Sequence, residues 1–337
     1  MIKLGENSFW LSGRTGITSR AAVAGPIEGK GPLGQLFDKV YKDETCGQKS
    51  WEMAEGQMLS DCLDTILVKS GKTPQEVDLL LSGDLLNQCM STAIATRDRN
   101  IPTLGLYGAC STMAESMCIA SLIMEGAATR NIICMTSSHY CSAEKQFRFP
   151  LELGGQKPKS SQSTVTGAGG TMLTWDGGSV CITAVTPGCV RNPGVTDSNN
   201  MGGAMAPAAA TTIATHLKDL SRAPEYYDVI LTGDLGELGK EMCRQLTMEL
   251  GYDISNQLQD AGTMVYAPEE AVNTAGTSGC GCSAVVLNTV ILDKLEKGEL
   301  NKVLFVGTGA LHSPALLNEK QPIPVIAHAV SIERRQS

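Results

Sequence analysis

The sequence predicts an α/β protein built from two duplicated halves, each a mostly parallel sheet covered by helices. Three observations carry that prediction. The segment DLLLSGDL at 78–85 is echoed by DVILTGDL at 228–235, an offset of 150 that also relates Pro74 to Pro224. A second echo, at an offset of 172, sets Cys110-Ser111 against Cys282-Ser283, Gly126 against Gly298, and Ile132-Ile133-Cys134 against Leu304-Phe305-Val306. Both copies run strand, Cys-Ser turn, helix, glycine, strand in the same order, which marks a repeated unit. The halves are 1–186 and 187–337.

Each element follows from local pattern. Residues 51–69 place Met53, Met58, Leu59, Cys62, Leu63, Ile66 and Leu67 at roughly i, i+3, i+4 spacing, one apolar helical face. The run 78–83 is short, apolar and closed by Gly-Asp, the mark of a buried parallel strand entering a loop. A strand at 103–107 leads through Gly108-Ala109 into a helix opened by Cys110, where Thr112-x-x-Glu115 reads as a capping box. Residues 131–136 form the next strand. The runs 163–175 and 179–186 flank Asp176-Gly177-Gly178 and read as a hairpin. In the second half, 207–220 is helical, 228–233 is a strand, a helix follows Cys282, and 323–333 is the terminal strand. Right-handed crossovers then give βαβαβ units followed by antiparallel strands. Packed together, the halves share a central helix layer that must be apolar on all sides and rich in small residues. The helices after Cys110 and Cys282 meet that demand.

Composition narrows the function. A length of 337 residues allows about two domain-sized units. A net charge of −8 with 4% aromatic residues leaves neither the basic stripe nor the stacking rings of a nucleic-acid binder. Charged residues make up 18%, below the ~25% of an average chain, so a large core, a buried subunit interface or both are expected. No stretch reaches the ~18–20 strongly apolar residues of a membrane span, and no apolar export segment follows Lys3. The 12 cysteines follow no zinc spacing: Cys280 and Cys282 have no second pair and no His-x₃₋₅-His partner. They read as reduced thiols of a cytosolic-type soluble chain. There is no GxGxxG after the first strand, no P-loop and no HExxH, which disfavours nucleotide and zinc-hydrolase chemistry.

Cys110 carries the sharpest chemical reading. A thiol at a helix N-terminus feels the helix dipole, which favours thiolate, and strand-to-helix turns at the carboxyl edge of a parallel sheet are where α/β ligands bind. The alternative is a small buried residue filling the turn. A nucleophilic cysteine needs a base, and His139, after the strand at 131–136, is the nearest candidate in this topology. His216 reads as a surface residue; His312 and His328 are left unplaced. Asp84 and Asp234 end equivalent strands and either face one crevice or cap loops. The polar stretch 139–166, with Lys145, Arg148, Lys157 and Lys159, is a solvated loop or a flap that brings Arg148 or Lys157 over a carboxylate ligand.

These features resemble the thiolase and β-ketoacyl-synthase superfamily, and more closely the stage V sporulation protein AD family of spore-forming bacteria. The motifs are AGP at 24–26, GPLGQLFDK at 31–39, WEMAE at 51–55, SGDLLNQ at 82–88, YGACST at 107–112, TSSH at 136–139 and QFRFPLELGGQKP at 146–158. STVTGAG at 163–169, TDSNNMGGAMAPAAA at 196–210, LTGDLGELG at 231–239, GTSGCGCSAVV at 276–286 and the terminal PVIAHAVSIER continue the series. The resemblance implies a thiolase fold, five layers in the order αβαβα. It also implies a non-catalytic binder of dipicolinic acid, or of its calcium chelate, acting in dipicolinate uptake into the developing spore. No resident cofactor or metal is implied, any calcium arriving with the ligand. Implied partners are the other stage V sporulation A membrane proteins, with the chain a homodimer held peripherally at the inner forespore membrane. The ligand-binding residues are then Cys110, Asp84, Asn87, Ser138, His139, Arg148, Asp234 and Ser278.

The departures from the enzymes matter. Ser278 stands where they carry His or Asn in the glycine-rich turn, Gly233–Gly236 holds no His, and Ile326-Ala-His-Ala329 replaces the terminal Cys-x-Gly. Without those donors condensation loses several kcal/mol of transition-state stabilisation. Two other readings stay open: an acyltransferase using Cys110, and a scaffold for the membrane subunits. A bare dicarboxylate dianion wants Arg148 or Lys157, whereas Asp84 and Asp234 favour the nearly neutral chelate with its metal edge.

Overall fold

Ten strands lie in one hydrogen-bonded order, five in each of two sheets, the second sheet taking Val180–Thr186 from the first half, in a computed structural model that describes residues 1–126, 129–147, 158, 161–266 and 275–335. In the first sheet the order is Thr103–Gly105, Leu79–Gly83, Asn131–Ser138, Gly167–Trp175, Thr15–Ala24. In the second it is Leu258–Asp260, Val229–Thr232, Lys302–Ala310, Val325–Arg334, Val180–Thr186. The first three strands of each set run parallel and the last two antiparallel, so the sheets repeat each other strand for strand. Among the described residues the two sheets pair through Val180 opposite Ile17 and Cys181 opposite Gly16.

That pairing corrects one expectation. Residues 179–186 do not fold back on 163–175 as a hairpin. Val180–Thr186 crosses to the other sheet and pairs over six positions with Val325–Arg334. The Asp-Gly-Gly turn is a crossing point between the sheets, and there Asp176 is held by Arg14, whose Nε donates to its Oδ1 at 2.7 Å.

The repeated Asp that opens each echo has a physical reason. Asp78 Oδ2 accepts from the amides of Arg130 (2.6 Å) and Asn131 (2.9 Å), and Asp228 Oδ2 accepts from those of Asn301 (2.6 Å) and Lys302 (2.9 Å). Each carboxylate satisfies the first amides of the neighbouring parallel strand, which have no ladder partner there.

Helices fill three layers. Trp51–Ser70 starts on Ser50, whose Oγ accepts from the Met53 amide, and stops at Gly71 in the left-handed region (φ 66°). Its face of Met58, Leu59, Cys62, Leu63 and Ile66 is fully buried against the first sheet. Each such Leu, Ile or Met contributes about 2 kcal/mol, and Leu63→Ala would cost about 3 kcal/mol. Met201–Asp219 and Gly236–Glu249 cover the second sheet. Between the sheets lie Thr112–Gly126 and the helix from Cys280–Val286, all seven of whose residues are buried. That helix widens into a π turn at Leu287–Ile291, and the Asn288 carbonyl accepts from Arg20 Nη1 at 2.7 Å. Gly169 lets strand and central helix meet: a Cβ there would stand 2.6 Å from the Ala284 backbone. The five-layer αβαβα arrangement is therefore present. Among the described residues no helix is long and apolar enough to cross a membrane.

Candidate functional site

The turn that carries Cys110 is strained and firmly held. Ala109 sits at φ 51°, a left-handed conformation costing a non-glycine residue about 1 kcal/mol. Its carbonyl accepts from Thr112 Oγ1 (2.7 Å) and from the Cys280 thiol (2.9 Å), while Thr112 Oγ1 accepts from the Gly108 amide at 3.0 Å. Thr112 thus closes its own turn instead of pairing with Glu115 in a capping box. A tight Ala109–Ser111 turn precedes the helix, and Cys110 is 7% exposed.

Cys110 Sγ lies 3.7 Å from Ser278 Oγ, which donates to Asp234 Oδ2 at 2.7 Å. Asp234 also accepts from Thr308 Oγ1 at 2.6 Å and the Gly279 amide at 3.2 Å. Ser278 reaches this position through the short parallel pairing of Thr277–Ser278 with Ser163–Thr164. The result is a buried thiol–hydroxyl–carboxylate chain spanning both halves. Burial pushes the Cys110 thiol well above its ordinary range, and the Asp234 carboxylate pushes it further, by charge and by accepting its hydrogen bond. Burial raises Asp234 as well, against the three donors and the thiol. The dipole-favoured thiolate expected from the sequence is therefore overturned: desolvation and a like charge outweigh the helix end.

The other site candidates scatter. His139 is buried away from Cys110: its Nε2 donates to the Glu44 carbonyl at 2.7 Å and its Nδ1 accepts from the Cys141 amide at 3.1 Å, so neither nitrogen is free to act as base. Burial also holds its pKa below the usual histidine value. Asp84 lies off the cavity wall. Its Oδ1 accepts from the Leu86 amide (2.9 Å) and its Oδ2 from the Thr92 amide (2.9 Å) and Oγ1 (3.0 Å), making it a cap for the helix Met90–Thr96. Ser138 donates to the Val165 carbonyl (2.7 Å) and accepts from the Gly281 amide (3.0 Å), pinning strand to central helix. Asn87 is exposed on a neighbouring groove with Lys145 and Gln146. Arg148 and Lys157 lie outside the described residues. His216, expected at the surface, is fully buried between Thr186 Oγ1 (2.7 Å) and the Tyr227 hydroxyl (2.6 Å). Burial takes it down to about 3, so it stays neutral.

Of the candidates, then, Cys110, Ser278 and, behind them, Asp234 come together. Cys110 and Ser278 floor a cavity of about 50 Å³ whose walls include Leu85, Gln162, Ala310 and His312. Phe147 stands at its edge with its ring 5.1 Å from that of His312, edge to face. Gln162 and His312 were missed from sequence. His312 follows the parallel strand Lys302–Ala310 of the second sheet as Cys110 follows Thr103–Gly105 of the first, and that position beyond a strand's carboxyl end is the signal that could have found it. Gln162 Nε2 donates to the carbonyls of Asp234 (2.7 Å) and Thr277 (3.0 Å), tying the strand before the cavity to its floor. Among the described residues no group of three His, Cys, Asp or Glu side chains is placed to hold a metal.

Residues 5–333 match the family described as stage V sporulation protein AD (SpoVAD). Stage V sporulation protein AD of Bacillus subtilis (strain 168) is 46% identical over 318 residues, covering 94% of each chain. Among solved structures, 3-oxoacyl-[acyl-carrier-protein] synthase III from Aquifex aeolicus VF5 superposes with a TM-score of 0.59 at 10% identity, covering 95% of this chain and 99% of its own. Cerulenin-bound OleA of Xanthomonas campestris gives a TM-score of 0.59 at 12% identity over 98% and 100% of the two chains. These two likenesses establish the fold.

Proposed function

The chain belongs to the stage V sporulation protein AD family, and from that premise we propose that it is a non-catalytic receptacle for dipicolinate, acting in dipicolinate uptake into the developing spore. The observation that carries this reading is the cavity floor. A ketosynthase-like turn presents its thiol to a hydroxyl backed by a buried carboxylate, a set that suppresses thiolate. A condensing enzyme needs the reverse, an activated sulfur and donors aimed at a developing oxyanion.

The lining favours the calcium chelate over the bare dianion. Among the described residues the cavity is lined by no lysine or arginine, while Glu144 lines it and Asp234 lies behind Ser278. A chelate that exposes a metal edge meets oxygen donors there without a charge clash. Asp84, with both oxygens on backbone amides and the Thr92 hydroxyl, drops out of that role. An engineered cavity that holds benzene measures roughly 150 Å³, so a cavity of about 50 Å³ must widen to admit a pyridine ring with two carboxyls. The Phe147–His312 contact is where we place that widening.

A peripheral position at the forespore membrane beside the other stage V sporulation A proteins belongs to the same proposal. So does a homodimer through the strand Thr103–Gly105, which among the described residues pairs on one side only. One observation favours a second reading, a Cys110-dependent acyltransferase: the cavity does hold an imidazole, that of His312. Incubation with acetyl and malonyl thioesters, followed by intact-mass measurement, separates the two. The receptacle predicts no adduct on Cys110 alongside calorimetric binding of dipicolinate; a stable acyl-Cys110 that His312→Ala abolishes would establish the enzyme.

A further inference from the structure

The end of the second sheet opposite the Cys110 cavity carries a cleft whose charges are not balanced. It is lined by Thr183, Tyr226, Asn301, Lys302, Arg334 and Arg335, with Glu333 the single acid among the described lining residues. Lys302 begins the nine-residue strand that ends at Ala310 on the cavity wall, so at 3.3 Å per residue the two sites lie roughly 25 Å apart.

Glu333 is already committed. It accepts from Thr183 Oγ1 (2.6 Å) and from the Tyr226 hydroxyl (3.1 Å), and its Oε1 lies 3.5 Å from Arg222 Nη2. The three cations facing the cleft have no carboxylate partner among the described residues. Lys302 Nζ is parked 3.8 Å from the centroid of the Tyr226 ring. Arg334 lies over Gly298, where a Cβ would come within 2.8 Å of its Nη1. Arg335 spends Nη2 on the Arg14 carbonyl (3.1 Å), and its Nε is buried with no acceptor. Of the acids near the cleft, Asp228 is used by the Asn301 and Lys302 amides, and Asp176, whose charge reaches Arg335, is bonded to Arg14; Arg335 otherwise donates to the Cys181 sulfur. Three like charges held together with no carboxylate bonded to any of them among the described residues repel one another, and a buried guanidinium N–H with no acceptor costs further free energy. Both costs vanish when an anion occupies the cleft.

We infer that this cleft is a binding site for a phosphate-type anion, with the Arg335 and Arg334 guanidiniums supplying forked donors and Lys302 a point charge. A tetrahedral dianion suits that mixture, because arginine forks grip two oxygens at once and lysine neutralises the third. The same phosphoryl chemistry is offered by a free phosphate ester and by the headgroup of an anionic lipid. This site is independent of dipicolinate binding and stands if that reading falls.

The test uses the full chain and two probes: inorganic phosphate by titration calorimetry, and flotation with vesicles of phosphatidylglycerol in phosphatidylcholine. Lys302→Gln and Arg334→Gln lie at the surface, and an unchanged unfolding midpoint shows that each still folds. Phosphate binding that weakens about tenfold or more in either variant, and further with added salt, supports the site. Vesicle binding lost in the same variants and competed by phosphate makes the lipid headgroup the source; phosphate binding without vesicle binding makes it a free ester. Wild-type protein that binds neither probe, or variants that bind both as well as wild type, would overturn the inference.

Discussion

Replacing Asp234 with asparagine should make Cys110 more reactive. The sulfur lies 3.7 Å from Ser278 Oγ and that oxygen 2.7 Å from Asp234 Oδ2, which puts the charge no more than about 6 Å from the thiol. At an effective dielectric of about 20, one unit charge at that distance is worth about 3 kcal/mol, or about two pKa units. The asparagine side chain keeps an acceptor for Ser278 and Gly279 and turns its amide toward Thr308, so the chain of hydrogen bonds survives while the charge goes. A fall of two units raises the thiolate fraction about a hundredfold, and the lower nucleophilicity of the less basic sulfur takes back about tenfold. Alkylation of Cys110 by iodoacetamide, followed by peptide mass mapping against exposed Cys189, should therefore speed up about tenfold below the thiol pKa. Unchanged or slower alkylation in a folded Asp234→Asn protein would refute the claim that this carboxylate restrains the thiol.

Other consequences follow from the same contacts. Asp84→Ala strips two amides and a hydroxyl of their acceptor and should cost about 3 kcal/mol in urea unfolding, with Asp84→Asn costing less and dipicolinate affinity per folded molecule unchanged. Burial raises Asp260 to about 7 against donors from Thr232, Leu235 and Gly236. The folded state then holds a proton that the unfolded chain releases near pH 4. Its stabilising contribution is full below that pH and lost as pH rises through about 7, by up to about 1.4 kcal/mol per unit. Asp260→Asn should flatten the curve in that window, as seen in urea midpoints. Leu104, 49% exposed on the free edge strand, should tolerate Lys as a monomer; sedimentation showing a dimer in Leu104→Lys would move the subunit contact elsewhere.

Much of the fold was legible because duplication leaves the same physical demands twice. The paired Asp78 and Asp228 and the largely buried central helices could be read from the sequence alone. The turn at Asp176 could not, because a two-strand hairpin and a crossing between sheets share one local pattern, and the choice is made by partners far along the chain. The site divided in the same way. Cys110 and Ser278 sit in turns fixed by neighbouring residues, and the fold brings them together. His139 and His216 were misjudged because burial, not position along the chain, decides what an imidazole does, and each is consumed by hydrogen bonds made after folding. Asp84 and Asp234 hold equivalent positions, yet one faces amides and the other Ser278, a difference set by the loop after each strand.

The central claim is that a small planar dicarboxylate occupies the space beside an unreactive sulfur. Crystals soaked with dipicolinate and calcium test it most directly. A receptacle of this kind holds the ring between Ser278 and a displaced Phe147, with Cys110 unmodified; a ligand bound elsewhere while the cavity stays closed, or an acyl group on that sulfur, would rule it out.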